Sequence, residues 1–386
     1  MNRYTSILDI GSSKVICLIC SLDAKNGMIL RGAGIKEYAG FKHGNFLNEG
    51  ELADAIVDAV SSAETEAAIR VSEISTGVPA PFLRLQLMQG STQVPAKRRR
   101  ITDDDIEQII NDSLDFDLPE DYELIHSTPV EFFHAQCDAE ESKTRSVAAS
   151  VSNVFVDSKF KRLVTAALER LDIGTDMLIG APLAEGLFVI SEAERTTPAV
   201  LIDVGAWHTE ISLIKNSALA AVEVISVGGC HFTADLAYGL DLPQQVAESI
   251  KRGYVYSREY EDSADIVRLP GGGCVSIEHE AIRYIVQARM DELSGLIAKT
   301  LSGMEVRAKD CWPIYLTGGG ITLVRGSAEY LESQLGMQIK VKAPNMRKLA
   351  SPNYSSAFAV MNFVMEAGGV DCDRGLLNKL KNFFLK

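Results

Sequence analysis

Leu8–Ile19 reads LDIGSSKVICLI, and far downstream Ile202–Ile214 reads IDVGAWHTEISLI. Each is an apolar run that reaches Asp-x-Gly, turns, and resumes as a second apolar run. Asp9 and Asp203 fall about half a chain apart. A supersecondary unit that recurs at this spacing predicts two related halves.

Outward from the first hairpin, Met28–Ile35 reads as a third strand. In Glu51–Ala68 the apolar residues Leu52, Ala55, Ile56, Ala59, Val60 and Ala63 repeat with a helical period. A strand follows at Ile74–Val78. Pro79 and Pro81 open an insertion with strand-like runs at 82–96, Glu123–Phe133 and Arg145–Val156. Between them, Thr102-x-x-Asp105 has the form of a capping box before Ile106, Ile109 and Ile110. Helix Lys159–Arg170, strand Thr175–Ile179 and a connecting helix over Pro182–Glu192 complete the first half.

The second half runs strand, turn, strand from Ala199 to Val227. A helix-rich part over Pro243–Leu301 carries a hairpin around Gly271–Gly273, and strand Pro313–Leu316 leads into Gly318-Gly319-Gly320. The alternation of strands and helices predicts an α/β fold with a cleft between the halves. The halves are expected at 1–78 with 157–197, and at 198–245 with 313–368. The insertion then occupies 79–156, a helical subdomain 246–312 and a tail 369–386.

Composition narrows the function. The 386 residues are 46% hydrophobic and 23% charged, which suits large cores rather than disorder. The net charge of −14 repels a phosphate backbone, so nucleic acid is not an expected partner. The basic run Lys97–Arg100 reads as a solvated turn ahead of a helix. The sequence shows no export signal, since Met1–Thr5 is polar and Asp9 and Lys14 break the apolar stretch that follows. No apolar run approaches the roughly 18 residues of a membrane span. Cys17 and Cys20 form C-x-x-C inside a strand-like run, where residues three apart point to opposite faces. They therefore read as core cysteines, and seven scattered cysteines fit a reducing compartment.

A hairpin turn with a glycine can aim several backbone N–H groups at one point, and such a nest binds phosphate oxygens. In the turn Gly11-Ser12-Ser13-Lys14, Gly11 permits close approach, the serines add hydroxyls and Lys14 adds charge. Asp9 stands where a hydrated Mg²⁺ could be held. The second turn, Ala206-Trp207-His208-Thr209 after Gly205, is bulkier. The three glycines 318–320 follow an apolar strand and let a ring or ribose lie against the backbone.

LDIGSSK, LIDVGAWHTE, AESIKRGY and YLTGGGITLVRG, in this order and spacing, resemble the two phosphate motifs, the adenosine-side motif and the adenosine motif of the actin, Hsp70 and hexokinase superfamily. Within it the chain resembles the cell-division protein FtsA family. Val224–Tyr254, VISVGGCHFTADLAYGLDLPQQVAESIKRGY, is similar to that family almost end to end, and the insertion resembles its extra subdomain. The resemblance implies an actin-like fold that binds ATP with Mg²⁺. Asp9, Gly11, Ser12, Ser13 and Lys14 should meet the β- and γ-phosphates. Asp203, Gly205, His208 and Thr209 should face them from the other half, with Asp9 and Asp203 holding the Mg²⁺ through water. Glu248 and Lys251 should approach the adenosine, and Gly318, Gly319 and Gly320 should back it. The resemblance also implies self-association, a C-terminal FtsZ peptide and later division proteins as partners, and a place at the division site on the cytoplasmic face of the inner membrane.

Three positions depart from the family's pattern. Trp207 and His208 stand where the second turn is usually rich in glycine and threonine; Trp207 is expected to narrow the pocket, and His208 to serve either phosphate or packing. Ala181 stands where related filament proteins carry an acid that orients water, with Glu185 one turn along. Weak or absent hydrolysis is therefore expected. The loop Gln136–Arg145 is short and charged.

The tail Arg374–Lys386, RGLLNKLKNFFLK, carries Leu376, Leu377, Leu380, Phe383 and Phe384 on an arc of about 120°. Arg374, Lys379, Lys381 and Lys386 lie outside it, giving +4 on a chain whose total is −14, so the remainder carries −18. A basic, aromatic, amphipathic helix is the pattern of interfacial binding to an anionic membrane; packing on the body is the competing reading. A pilus-assembly adaptor of the PilM type and an active ATPase or kinase of the superfamily remain rivals. The first would not need such a tail, and the second needs a base that Ala181 does not supply.

Overall fold

The computed structural model describes residues 4–23, 27–95, 97–98, 100–116, 120–134, 144–256, 264–344 and 349–367. The expected membrane residues Leu376, Leu377, Lys379, Leu380, Lys381, Phe383, Phe384 and Lys386, and most of the loop 136–145, lie outside the described residues.

Two five-stranded sheets have the same topology. In the first, Tyr4–Ile10, Lys14–Asp23 and Gly27–Glu37 form an antiparallel meander. Glu73–Val78 pairs parallel with Tyr4–Ile10, and Gly174–Gly180 pairs parallel outside it. The second sheet repeats the order. Ala199–Val204, Thr209–Lys215 and Ala218–Ile225 form the meander, and Ile314–Thr317 then Ile339–Val341 extend it in parallel. The duplication read from two short hairpins therefore extends to both whole sheets.

The apolar runs are continuous because both faces of each sheet are covered. Along Lys14–Asp23, Val15, Cys17 and Ile19 enter one core while Ile16, Leu18 and Cys20 enter another. Cys17 and Cys20 are thus buried on opposite faces, and burial pushes both thiols up, that of Cys20 to about 12. On Ala199–Val204, Val200, Ile202 and Val204 face one core and Ala199 and Leu201 the other.

Helix Glu49–Ala67 covers the outer face of the first sheet with every apolar position of the sequence pattern buried. Asn48 caps it, its side chain accepting from the N–H groups of Gly50 and Glu51. Gly34 permits the approach, because a Cβ there would overlap the carbonyl of Ala59. On the inner faces, two short helices lie between the sheets. Helix Ala181–Val189, shorter than the expected Pro182–Glu192 and starting one residue earlier, contributes Leu183 and Val189 to the core beneath the second sheet. Helix Ser355–Ala367, from the end of the described chain, returns to the first sheet with Phe358, Val360, Met361 and Val364.

The insertion is a three-stranded antiparallel sheet in the order Leu83–Pro95, Thr144–Asp157, Tyr122–His134, with helix Asp103–Asp112 packed on it. Thr102 and Asp105 form the capping box. Arg98 of the basic run pairs with Asp105. The insertion leans on the second half: Ser152 Oγ donates to the Leu219 carbonyl at 2.6 Å and Asn216 Nδ2 to that of Val130 at 2.8 Å. No helix among the described residues is long and apolar enough to cross a membrane.

Candidate functional site

The two hairpin turns close in the same way. Gly11 N donates to Lys14 O at 2.9 Å, and Gly205 N donates to His208 O at 2.9 Å. Ser12, in the first turn, meets the second directly, its Oγ accepting from Trp207 N at 3.2 Å. The turns thus face each other across a cleft of about 850 Å³.

Asp9, Gly11, Ser12, Ser13, Lys14, Asp203, Gly205, His208, Glu248, Lys251, Gly318, Gly319 and Gly320 all line this cleft. Thr209 does not. It is buried, and its Oγ1 donates to the Val227 carbonyl at 2.7 Å. The expectation that Thr209 meets phosphate is corrected: it begins the strand, and its hydroxyl serves the loop behind the sheet. Gly318 has φ +87°, and a Cβ there would overlap Asp203 Oδ1, so only glycine lets this strand end approach the second aspartate.

The bulky second turn lines the cleft with Trp207 and His208, and neighbours engage both side chains. The Trp207 ring lies under Lys42 Nζ, 3.6 Å from the centroid, and edge-on to His231 at 5.8 Å. His208 Nε2 lies 2.9 Å from Glu210 Oε1, and its ring lies 5.2 Å from that of Phe41. Glu210 Oε1 also accepts from Ala80 N at 3.1 Å. His208 thus lines the cleft while engaged in packing and an acid contact. Lys251 is likewise engaged. Its buried Nζ donates to the Gly229 carbonyl and Thr233 Oγ1, each at 3.0 Å, and lies 2.7 Å from Glu248. It holds two helices together at the rim of the cleft.

The floor is rich in acids. Burial pushes Asp9 up to about 6, against a hydrogen bond from Ser356 that pulls it down. Burial, then Glu210, pushes Asp203 up to about 7. Burial, then Asp203, raises Glu185 well above the usual carboxylate range. Burial lowers Lys14 despite its neighbour Asp9. Asp203 Oδ1 and Glu185 Oε1 are buried without a hydrogen-bond partner. Such a floor repels a bare phosphate and suits one that arrives with a divalent cation. Among the described residues, no three His, Cys, Asp or Glu side chains are arranged to ligate a metal directly. A cation here would be held through water, as Asp9 and Asp203 allow.

Sequence reasoning missed several lining residues: Tyr38, whose hydroxyl donates to the Gly11 carbonyl at 2.9 Å, Tyr354, whose ring lies 4.5 Å from Lys14 Nζ, and Ser356. Glu185 was noted only as a neighbour of the missing acid, yet its carboxyl lines the cleft beside Ala181.

Two sheets of identical order, each covered by a helix between them, with matched turns facing across a cleft, define the actin-like class. Among solved structures, the PilM–PilN type IV pilus biogenesis complex matches with a TM-score of 0.63 at 18% identity, over 93% of this chain and 97% of that one. MreB 5 of Spiroplasma citri bound to AMPPNP matches with a TM-score of 0.58 at 12% identity, over 97% and 99%. Both likenesses show the fold. The particular relationship lies in the sequence, which is similar to that of FtsA proteins. The family model "Cell division protein FtsA" matches residues 200–359. The FtsA proteins of Neisseria meningitidis and Streptococcus pneumoniae are 26% and 25% identical to it, over 95% and 92% of this chain and 91% and 79% of theirs. These relationships support a role in cell division.

Proposed function

We propose that the chain is a division adaptor that binds ATP with Mg²⁺, polymerises, and tethers the FtsZ ring to the inner membrane, from which it recruits later division proteins. The observation that carries the nucleotide reading is the pair of identically closed turns, with two unpartnered carboxylate oxygens on the floor between them. Backbone groups of the turns suit phosphate oxygens, the acids suit a hydrated cation, and the glycines at 318–320 leave room for the nucleoside. The basic amphipathic tail supports the membrane reading. The fold likeness to PilM keeps a pilus adaptor as the second reading, but the sequence relatives and the tail favour division.

The test is calorimetry of ATP binding with and without Mg²⁺. Binding that requires Mg²⁺ is expected, with hydrolysis far below the roughly 10 per second of typical enzymes. Absence of binding in both conditions, or turnover near the typical rate, would overturn this reading. Pelleting with FtsZ and anionic liposomes, separately and together, tests the adaptor role.

A further inference from the structure

Glu185 is a buried acid with an unmet need. It sits one turn past Ala181 in helix Ala181–Val189 and is 3% exposed. Its carboxyl lines the cleft beside Asp9 and Asp203 with the Ser355 hydroxyl next to it, and its Oε1 accepts no hydrogen bond. Burying a carboxyl with an unpartnered oxygen is costly. A fold that retains one at the floor of a cleft provides for a partner that enters from the cleft.

The partner's chemistry follows from the surroundings. Asp203 Oδ1 is unpartnered in the same way. An unpartnered carboxyl oxygen calls for a hydrogen-bond donor, and a water is the donor small enough to reach it beside a bound phosphate. That water would lie between the helix and the two turns that suit phosphate.

We propose that Glu185 orients the water that attacks the terminal phosphate of a bound nucleoside triphosphate, supplying from one turn further along the helix what position 181 lacks. This rests on reading the cleft as a nucleotide site. The water oxygen forms a bond to the terminal phosphorus as the bond from that phosphorus to its bridging oxygen breaks. The bonding pair leaves with the nucleoside diphosphate. One water proton passes to a terminal phosphate oxygen, giving dihydrogen phosphate, and Glu185 accepts a hydrogen bond from the other. Turnover remains slow because Glu185 only orients the water and no side chain takes its proton.

The test uses the full chain and two variants. Glu185→Met keeps the length and removes the acceptor; Glu185→Gln keeps one carbonyl acceptor. Three quantities are measured: affinity for ADP with Mg²⁺, the further rise in melting temperature when aluminium fluoride is added to ADP–Mg²⁺, and single-turnover hydrolysis of ATP. Aluminium fluoride mimics the phosphoryl group in flight and captures the attacking water.

Glu185→Met should bind ADP–Mg²⁺ within about threefold of the unaltered chain and lose the fluoride increment. Its hydrolysis should fall at least about tenfold, equivalent to about 1.4 kcal/mol, with Glu185→Gln in between. Unchanged hydrolysis or an unchanged increment in Glu185→Met overturns the proposal while leaving the nucleotide site standing. So does an unaltered chain that binds ATP and never hydrolyses it, and so does a Glu185→Met chain that no longer binds ADP. If the unaltered chain binds neither ADP nor ATP, the nucleotide reading falls and the proposal falls with it.

Discussion

Ser356 donates a hydrogen bond to Asp9 Oδ1 at 2.7 Å, so the acid beside the first turn is held by a helix from the other end of the described chain. A donor to a carboxylate favours its charged form. Removing it in Ser356→Ala should push Asp9 above its already raised value of about 6, by about one unit for a charge-assisted bond. Mg²⁺–ATP binding that needs charged Asp9 should then be lost at a higher pH as the solution is acidified. Affinity measured from pH 5.5 to 8 checks this. Coincident profiles for the two proteins would show that the bond does not tune Asp9.

Asp203 gives a stability test without any ligand. Its carboxyl is raised from an ordinary 3.8 to about 7 in the fold. Below about pH 4 both folded and unfolded chains hold the proton. Between about 4 and 7 the folded chain keeps it and the unfolded chain releases it, so stability falls as pH rises; above about 7 the loss is complete. Asp203→Asn lacks this loss. It should melt higher than the unaltered chain at pH 8, by a margin that shrinks at pH 5.

Trp207 should report on the cleft. The only other tryptophan, Trp312, is not among the residues lining it. ATP with Mg²⁺ should change intrinsic fluorescence, Trp207→Phe should abolish the change, and Trp312→Phe should preserve it. Lys42→Ala removes the cation from the indole face and should alter the emission of the ligand-free protein as well. A nucleotide response that survives Trp207→Phe would place the second turn away from the ligand.

Lys251→Met tests the join at the rim. It strips the Gly229 carbonyl and Thr233 of a donor and leaves Glu248 with Arg252 and the Thr233 hydroxyl. Glu248 is partly exposed, so the cost should lie at or below the low end for a broken buried pair, roughly 2–3 kcal/mol. Urea unfolding measures it. A change under about 0.5 kcal/mol would show that the ammonium spends its time elsewhere.

The tail can be separated from the body by mutation. Five partly inserted apolar side chains contribute about 1 kcal/mol each, against roughly 1.5–3 for full burial, and four basic residues add about 1 each near an anionic surface. Ordering a short helix offsets much of this, so on the proposed membrane reading one copy would anchor weakly and a polymer firmly. Phe383→Glu with Phe384→Glu should release the protein from anionic liposomes and leave its melting temperature unchanged. A fall in melting temperature, with no pelleting of the unaltered chain, would mean that the tail packs on the body.

The doubled hairpin was legible because an Asp-x-Gly turn between two apolar runs is a local pattern. The helix Glu49–Ala67 was legible because its period is local too. Ser356, Tyr38 and Tyr354 were not, since each reaches the first turn from another element and no spacing in the chain announces it. Thr209 was misplaced because carrying over a motif assigns residues to a turn, whereas the strand beginning at that residue directs its hydroxyl to Val227. Trp207 lines the cleft. Its stacking under Lys42 depended on a short hairpin, Phe41–Phe46, that no periodicity marks.

The return of helix Ser355–Ala367 to the first sheet bears on synthesis. The N-terminal strands leave the ribosome first, yet the inner face formed by Ile7, Ile16 and Leu18 waits for Phe358, Val360 and Met361. A nascent or truncated chain therefore shows that apolar face to chaperones and proteases, and lacks the serine that steadies Asp9. The inner face of the first sheet and the support of Asp9 are therefore completed only when residues 355–367 have been made.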